Sequence, residues 1–534
     1  MKQVYNPYLP SFEYVPDGEP HLFGNRIYLY GSHDRCGSAG FCLNDYVCYS
    51  ASVDNLKDWR YEGVIYRKEQ DPRNQNIPVD APEQMLLFGI KPQKEEDLNP
   101  RGVHAMWAPD VVCGPDGRYY LYYCLDFLPE IGVAVSDSPT GPFEYLGFVC
   151  HKDGIPLGTR KGDYLQFDPG IFVDDDGSIY LYSGNAPISL DYEPPRQQSQ
   201  VMTLEADMMT IKTEPKKLMP DVRDHNPEYE NHEFFEASSI RKINGTYYFV
   251  YSSVRSNELC YATSKYPDRD YHFGGTLVSI GDVFLNGREE KDALNHLGNT
   301  HGGIERAGDH WYVFYHRQTN RTNYSRQGCA EEIFFDENGH IAQVPISSCG
   351  LNQGPLAGAG SYPAAIACYL LGKNGATYSH PDAIKMDYPF FTQDENDFDP
   401  TEELIARDRE VPVQYVRNVN NGSVMGYRAF RFENSSLQTV EIRGSANGKL
   451  KVYIAPQTGD KTTGDVSATV FGEKTAVHHC VKEDTYLIGE CEICCDHVEW
   501  NHPPVHVKLP DGAATLYLRY EGEGSLDIRR LIFG

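Results

Sequence analysis

Residues 167–182 read FDPGIFVDDDGSIYLY and predict a β-hairpin with a carboxylate, Asp168, at its entrance. The tyrosine-rich second half of this hairpin has four counterparts elsewhere in the chain, so there are five copies. When each copy is aligned on one tyrosine, the intervals are 92, 60, 68 and 64 residues. The aligned residues are Tyr28, Tyr120, Tyr180, Tyr248 and Tyr312. A loose repeat of this kind is typical of radial β architectures and predicts a five-bladed β-propeller over residues 1–345.

The position 11 or 12 residues before each tyrosine opens the apolar run that should form the first strand of the blade. These positions are Asp17, Ala108, Asp168, Glu236 and His301. Because the first strand of every propeller blade lines the central axis, equivalent positions in the five blades should converge. Three of the five are acids, and a purely structural site would avoid the mutual repulsion of clustered acids. The repeat therefore predicts a carboxylate site on the axis.

Composition and the rest of the chain extend the all-β interpretation. The chain has 534 residues, too many for one ordinary core, and its 38 Tyr, 24 Phe, 48 Gly and 34 Pro suit many strands and turns. Residues 346–390 are Gly-rich and without period, which predicts a linker packed on the propeller. Short strands return in residues 391–534 and predict a β-sandwich. The fold class is therefore a five-bladed β-propeller followed by a β-sandwich domain.

Charge excludes some partners. The chain carries 76 acidic against 48 basic residues, a formal charge of −28, which argues against nucleic acid and against an anionic membrane surface. No run of about 18 apolar residues could span a membrane. Residues 1–7 lack the apolar core of a leader, so we expect a cytoplasmic protein, or a secreted one if a leader has been removed. A neutral partner is the easiest to reconcile with this charge.

Two further stretches leave alternatives open. The polar insertion 67–102 is either a surface loop near a substrate entrance or a loop without a role. The fourteen cysteines are scattered through a large chain, which favours reduced thiols over a disulfide framework. Cys491, Cys494 and Cys495, with Cys480 upstream, superficially suggest zinc. They lack a second ligand pair at the usual spacing, so free thiols are favoured.

Six short motifs of the propeller region resemble those of glycoside hydrolase family 43, a family of five-bladed propeller enzymes. They are Asn6-Pro7 with Pro16-Asp17, Trp107-Ala108-Pro109, Phe167-Asp168-Pro169, Phe235-Glu236-Ala237, His301-Gly302-Gly303 and Ser325-Arg326-Gln327. The resemblance covers about the first 345 residues. Residues 512–518 and 525–528 more weakly resemble the family 6 type of carbohydrate-binding sandwich.

The resemblance implies a role for each motif. Asp17 would be the general base, Glu236 the general acid, and Asp168 the residue that orients the acid and tunes its pKa. Trp107 would flank the sugar pocket, and Arg326 would contact the terminal sugar. Phe235 could stack on a sugar face, although aromatic residues on inner strands are often only core. The family's base is commonly followed by proline, so a shifted register would instead make Glu19 the base.

Two carboxyl groups in these roles are what glycoside hydrolysis needs, one protonated to assist the leaving oxygen and one ionised. If the reaction inverts the anomeric centre, they should lie roughly 6.5–9.5 Å apart, with a water between sugar and base. The alternative is a structural role, in which the acids cap turns or bind a structural cation. Equivalent placement of three acids favours catalysis, and the run at 174–177 is a solvated turn rather than a metal site.

His301 and the axis leave the metal question open. His301 could be a hydrogen-bonding wall of the pocket, a ligand to an axial water or Ca²⁺, or a satisfied core histidine. We expect no required cofactor and no metal among the site residues, with a structural Ca²⁺ near the axis as the alternative.

Together these features predict an inverting, exo-acting glycosidase that releases a terminal pentose, α-L-arabinofuranosyl or β-D-xylosyl, from plant-type glycans. Exo action is suggested by the insertion 67–102, which could wall one end of the channel. The competing hypothesis is a sugar-binding propeller without catalysis, in which the acids only hydrogen-bond hydroxyl groups.

Overall fold

The fold is known from a computed structural model that describes residues 3–38, 40–74, 104–126, 128–191, 197–378, 387–394, 413–457 and 474–534. Five separate antiparallel sheets follow one another in its first part, each built from strands that are consecutive along the chain. The first sheet comprises β1 (Glu19–Phe23), β2 (Arg26–Tyr30), β3 (Tyr46–Ser52) and β4 (Asn55–Tyr66). The second comprises β5 (Met106–Cys113), β6 (Tyr119–Leu125), β7 (Ile131–Ser136) and β8 (Glu144–Phe148).

The remaining three blades repeat this plan. The third contains β9 (Gly170–Val173), β10 (Ile179–Ser183), β11 (Gln200–Leu204) and β12 (Lys216–Lys217). The fourth contains β13 (Phe234–Ile243), β14 (Thr246–Ser253), β15 (Glu258–Ser264) and β16 (His272–Ser279). The fifth contains β17 (Ile304–Ala307), β18 (His310–Thr319) and β19 (Thr322–Ile333). All five aligned tyrosines lie on the second strand of their blade, which confirms the five-bladed propeller.

The propeller closes between its first and last blades. The inner strand β1 lies beside both β5 and β17, and β9 lies beside β5 and β13. A parallel bridge joins Gly18, just before β1, to Gly302, just before β17. The segment before Gly18 crosses blade five, where the Asn6 side chain donates to Ala330 O at 3.0 Å and to Glu331 Oε1 at 2.9 Å. The residue that opens blade one is therefore anchored to blade five.

The second domain is a β-sandwich built from ten strands. They are β20 (Leu356–Ala357), β21 (Gly360–Pro363), β22 (Tyr369–Leu371), β23 (Phe390–Thr392), β24 (Tyr415–Asn420), β25 (Val424–Phe432), β26 (Ser436–Pro456), β27 (Tyr486–Asn501), β28 (Pro504–Lys508) and β29 (Gly512–Phe533). The two longest, β26 and β29, pair with each other over most of their length. Their apolar residues, including Val440, Leu450, Leu516 and Leu531, meet in one core.

The prediction of a linker over residues 346–390 is wrong between Leu356 and Leu371, where three short strands join the sheet of the second domain. Strands β20 and β22 pair with β25, β21 pairs with β29, and β23, which starts at Phe390, pairs with β24. Strands of two to four residues are too short to show a period of two, so the sequence pattern could not reveal them. The stretch does pack on the propeller, since Leu370 N donates to Leu294 O at 2.7 Å and Asn295 Nδ2 to Cys368 O at 2.8 Å.

Helix is confined to single 3-10 turns within the described ranges. They are Lys68–Gln70, Pro72–Asn74, Ile280–Asp282, Leu285–Gly287, Glu290–Asp292, Gly350–Asn352 and Ala364–Ile366. The first two belong to the insertion 67–102, whose residues 75–102 lie outside the described part of the chain. Among the described residues, no helix has the length and apolar character needed to cross a membrane, and no disulfide is formed.

Candidate active site

The structure brings Asp17, Asp168 and Glu236 together at the entrances of blades one, three and four. The Ala237 N–H, next to Glu236, donates to Asp168 Oδ2 at 3.2 Å, and besides burial the charge of Asp17 raises the pKa of both Glu236 and Asp168. Asp17 and Asp168 have positive φ angles of 55° and 42°, and Ala237, next to Glu236, has 71°. Such conformations cost non-glycine residues about 1–3 kcal/mol each and cluster at functional sites. The three acids therefore converge as predicted. Asp17 and Asp168 have strained backbone conformations themselves, and Glu236 precedes a residue that has one.

Asp17 is buried and paired with a cation. Arg326 Nη1 donates to Asp17 Oδ1 at 2.8 Å. Burial by itself raises the pKa of Asp17, but the charge of the Arg326 guanidinium opposes this effect, and the pKa lies below its usual value of 3.8. Asp17 is therefore an ionised carboxylate throughout the neutral range, the state a general base needs.

His316 fixes the backbone of Asp17 and was not singled out in the sequence. Its Nε2–H donates to Asn299 O at 2.9 Å, which leaves Nδ1 to accept the Asp17 N–H at 3.2 Å. Burial lowers the pKa of His316 to about 3, with the charge of Arg326 adding to the effect. The imidazole is therefore neutral in this tautomer, which suits its position between one donor and one acceptor.

Asp34 holds Arg326 in place and was also missed. Its Oδ2 accepts Arg326 Nε at 2.8 Å and the Arg326 backbone N–H at 3.0 Å, while Oδ1 accepts Nη2 at 3.0 Å. Such a two-pronged pair fixes the guanidinium plane as well as its distance. The Arg326 guanidinium also lies 4.8 Å from the Phe41 ring centre. Asp34 follows the second strand of a single blade, so no repeat in the sequence pointed to it.

Glu236 lies on β13 between two irregularities of the strand. Its partner across the sheet is Ser252, and the register shifts both before and after this pair. The bulges turn the side chain out of the regular alternation, a common device beside active sites. Burial, and then the charge of Asp17, raise the pKa of Glu236 to about 8. Glu236 is therefore mostly protonated at neutral pH, the state a general acid needs.

Asp168 has a raised pKa of its own. Burial raises it well above 3.8, followed by the charges of Glu236 and Asp17, although the Ala237 N–H donates to Asp168 Oδ2 at 3.2 Å. The resemblance implied that Asp168 tunes the pKa of Glu236. Besides burial, the charge of Asp17 raises the pKa of Glu236, and the tuning of Glu236 by Asp168 stays a prediction.

His301 closes the same space from blade five. Its Nδ1 lies 3.5 Å from Asp168 Oδ2, and burial lowers its pKa to about 4. His301 is therefore a neutral imidazole beside the acids. Its role among the three alternatives left open by the sequence stays a prediction.

Trp107 and Phe235, the two aromatic residues predicted to contact the sugar, have different surroundings. Trp107 makes edge contacts with Phe167 at 5.3 Å and with Phe41 at 6.4 Å between ring centres. Since Phe41 also lies over Arg326, these rings adjoin the acid pocket. Phe235 is half-buried on β13, and its carbonyl accepts the Ala186 N–H at 2.7 Å. Its predicted stacking on a sugar stays a prediction.

Glu19, the alternative base, is bonded to Ser239 and Arg241. Its Oε1 accepts the Ser239 hydroxyl at 2.8 Å and lies 2.8 Å from Arg241 Nη2. Burial raises its pKa above 4.5 despite the charge of Arg241. Asp17, with its lowered pKa beside Arg326, therefore fits the base better than Glu19.

A propeller whose axial pocket holds one carboxylate that is ionised and a second carboxyl that is mostly protonated at neutral pH has the machinery of a glycoside hydrolase. The chain belongs to the family described as Glycosyl hydrolases family 43, which matches residues 88–341. It is 39% identical over 532 residues to a xylosidase/arabinosidase of Thermoclostridium stercorarium, covering 99% of this chain and 98% of that protein.

Two further relatives cover different shares of the chain. It is 29% identical over 369 residues to a beta-xylosidase of Xylanibacter ruminicola, covering 64% of this chain and all of the relative. The crystal structure of a family 43 arabinoxylan arabinofuranohydrolase from Bacillus subtilis in complex with cellotetraose aligns with 99% of this chain and 97% of its own at 18% identity, with a TM-score of 0.47.

Proposed function

We propose that this family 43 enzyme removes terminal α-L-arabinofuranosyl or β-D-xylosyl residues from plant-type glycans, by an exo-acting and inverting mechanism. The relative that matches the whole chain is named for both sugars, and another is named a beta-xylosidase. A neutral glycan substrate also suits the charge of −28, which disfavours polyanions.

In the proposed reaction, Glu236 donates its proton to the glycosidic oxygen as the bond to the anomeric carbon breaks. Asp17 accepts a proton from a water that attacks this carbon from the opposite face. Arg326 keeps Asp17 ionised and in place. Asp168, which the Ala237 N–H ties to the residue after Glu236, orients the acid. Trp107, Phe235 and His301 are proposed to line the subsite of the terminal sugar.

One observation carries this proposal: two carboxyl groups of the same pocket have pKa values shifted in opposite directions. The pKa of Asp17 is lowered and that of Glu236 is raised to about 8. A pocket that only hydrogen-bonds sugar hydroxyl groups does not require one ionised and one protonated carboxyl group, because a carboxyl group in either protonation state can bind a hydroxyl.

One cluster on the inner strands β1 and β5 offers possible ligands for a structural Ca²⁺, but its charges argue against the ion. Glu19, His21 and Asp110 bring possible ligand atoms within 4.8 Å of one another, but the Arg241 guanidinium already lies 2.8 Å from Glu19 Oε1. Arg241 Nε also lies 3.4 Å from Glu305 Oε2. Since a buried guanidinium already balances these carboxylates, a divalent ion there would be repelled. We therefore propose hydrolysis without a metal at this cluster.

The test is hydrolysis of an aryl α-L-arabinofuranoside and an aryl β-D-xyloside, with proton NMR of the first sugar released. We expect cleavage of at least one substrate and initial release of the opposite anomer. Linear arabinan or xylan should yield monosaccharide from the start. Binding without turnover would favour the non-catalytic alternative, retention of configuration would refute inversion, and early mid-sized oligomers without monosaccharide would refute exo action.

A further inference from the structure

We propose that the second domain completes the active site: Gln414 and Gln393 hold together the two propeller segments that carry Asp17 and Arg326. The proposal rests on the role assigned above to Asp17 as the ionised base. It assigns the second domain a positioning role in catalysis, whether or not that domain also binds sugar.

A chain of directed hydrogen bonds links the domains. Gln414, which immediately precedes β24, uses both protons of its amide, donating to Tyr14 Oη at 2.9 Å and to Gln327 Oε1 at 3.0 Å. The Tyr14 hydroxyl in turn donates to Gln393 Oε1 at 2.8 Å. Two glutamines of the second domain therefore clamp one tyrosine and one glutamine of the propeller.

Tyr14 and Gln327 lie close in sequence to Asp17 and Arg326. Tyr14 lies three residues before Asp17, and its carbonyl accepts the Asp34 N–H at 2.9 Å. Gln327 directly follows Arg326 on β19. The amide of Gln327 donates to the carbonyls of Ser11 and Glu13 at 3.1 and 3.2 Å, which ties β19 to the segment leading to Asp17. The network thus connects the base, its arginine and the aspartate that orients this arginine.

The network is fully enclosed. The exposed fractions are 2% for Tyr14, 0% for Gln327, 3% for Gln393 and 2% for Gln414. With no access to water, each group depends on its protein partner, and a satisfied buried network of this kind specifies one arrangement of the segments that meet in it. Gln414 cannot move away without leaving the Tyr14 and Gln327 oxygens short of a donor.

A second contact supports the same hairpin of the propeller. At the turn between β18 and β19, the Asn320 N–H donates to Phe391 O at 2.8 Å, and the Thr392 hydroxyl donates to Asn320 Oδ1 at 2.9 Å. The Arg321 guanidinium lies 3.9 Å from the Phe390 ring centre. The hairpin that presents Arg326 therefore rests on β23 of the second domain.

The predicted consequence of opening the network is a change in the base. If the segments of Tyr14 and Gln327 separate, Arg326 Nη1 moves away from Asp17 Oδ1. The guanidinium charge then offsets less of the effect that burial has on the pKa of Asp17. The pKa of Asp17 should rise, so activity should be lost at a higher pH on the acidic side. Displacement of a catalytic group by about 1 Å can cost on the order of 100-fold in rate.

The test compares Tyr14→Phe and Gln414→Leu with the wild type in the full chain, with an aryl glycoside as substrate. We expect kcat to fall about 5- to 100-fold, KM to change little, and the acidic limb of the kcat/KM profile to move to higher pH. The matched control is Tyr427→Phe, since the Tyr427 hydroxyl is equally buried in the second domain and donates to Ala364 O at 3.2 Å, away from the network. It should lower Tm without moving the acidic limb.

Each outcome decides the matter. If Tyr14→Phe lowers Tm as the control does but leaves kcat and the acidic limb unchanged, the network is only structural and the proposal is refuted. If Gln414→Leu does not fold, Tyr14→Phe decides alone, because it removes a single hydroxyl. Combining Tyr14→Phe with Arg326→Lys should shift the limb no further than Arg326→Lys alone. Failure of the proposed function is distinguishable, because the wild type itself would then not hydrolyse the substrate.

Discussion

Removing the carboxyl group of Glu236 should separate substrates by their leaving groups. With a pKa of about 8, Glu236 is about nine-tenths protonated at pH 7, whereas an ordinary glutamate at 4.5 would be about 0.3% protonated. Proton donation by a positioned acid contributes about 10²–10⁴-fold, or about 3–5 kcal/mol of barrier. Glu236→Ala should therefore lose this factor on an oligosaccharide but less than about tenfold on a dinitrophenyl glycoside, which departs with little assistance.

The assay is kcat/KM against pH for both substrates in the wild type and in Glu236→Ala. The wild type should lose activity towards the oligosaccharide as the pH rises through about 8, because Glu236 loses its proton there. The variant should lack this alkaline limb. Glu144→Ala, a truncation of an exposed glutamate on β8, serves as the control and should match the wild type. Equal losses on both substrates, or an alkaline limb that survives in Glu236→Ala, would refute the assignment of the acid.

Three further substitutions test the surroundings of the base. Asp17→Asn should depress hydrolysis of both substrates by similar factors, because water must be activated whatever the leaving group; losses that depend on the leaving group would contradict this role. Arg326→Lys cannot reproduce the two-pronged pair with Asp34, so the pKa of Asp17 should rise and the acidic limb of kcat/KM should move to higher pH. An unmoved limb would mean that Arg326 does not control Asp17. His316→Leu leaves the Asp17 N–H without its acceptor and should cost about 1–3 kcal/mol of stability, measured by denaturant unfolding, and lower kcat more than it changes KM; an unchanged kcat would show that His316 does not position the base.

The repeat made the propeller and its axial acids predictable from the sequence. Each blade needs the same apolar pattern on its first two strands, so the five copies could be aligned, and a step of 11 or 12 residues back from each tyrosine reached Asp17, Asp168 and Glu236. Asp34 and His316 each lie in a single blade and are not part of the repeated pattern. A residue that acts through a contact formed only on folding leaves no periodic signal, and these two were therefore missed.

The second domain shows a different limit of sequence reasoning. Its first three strands are too short for alternation to be visible, and they pair with segments more than fifty residues away, such as β20 with β25. Long-range pairing of this kind is set by the fold as a whole. For the same reason the contact of Gln414 with Tyr14, 400 positions apart, could not be anticipated.

The opposite pKa shifts of Asp17 and Glu236 depend chiefly on Arg326, whose charge lowers both pKa values but which donates a hydrogen bond to Asp17. Burial raises the pKa of both carboxyl groups, and it is the largest influence on each. Only Asp17 receives a hydrogen bond from Arg326, which reverses the effect of burial. Once Asp17 is ionised, its charge adds to the raised pKa of Glu236. One guanidinium, oriented by Asp34, therefore sets both protonation states, and a displacement of Arg326 should disturb the base first and the acid through it.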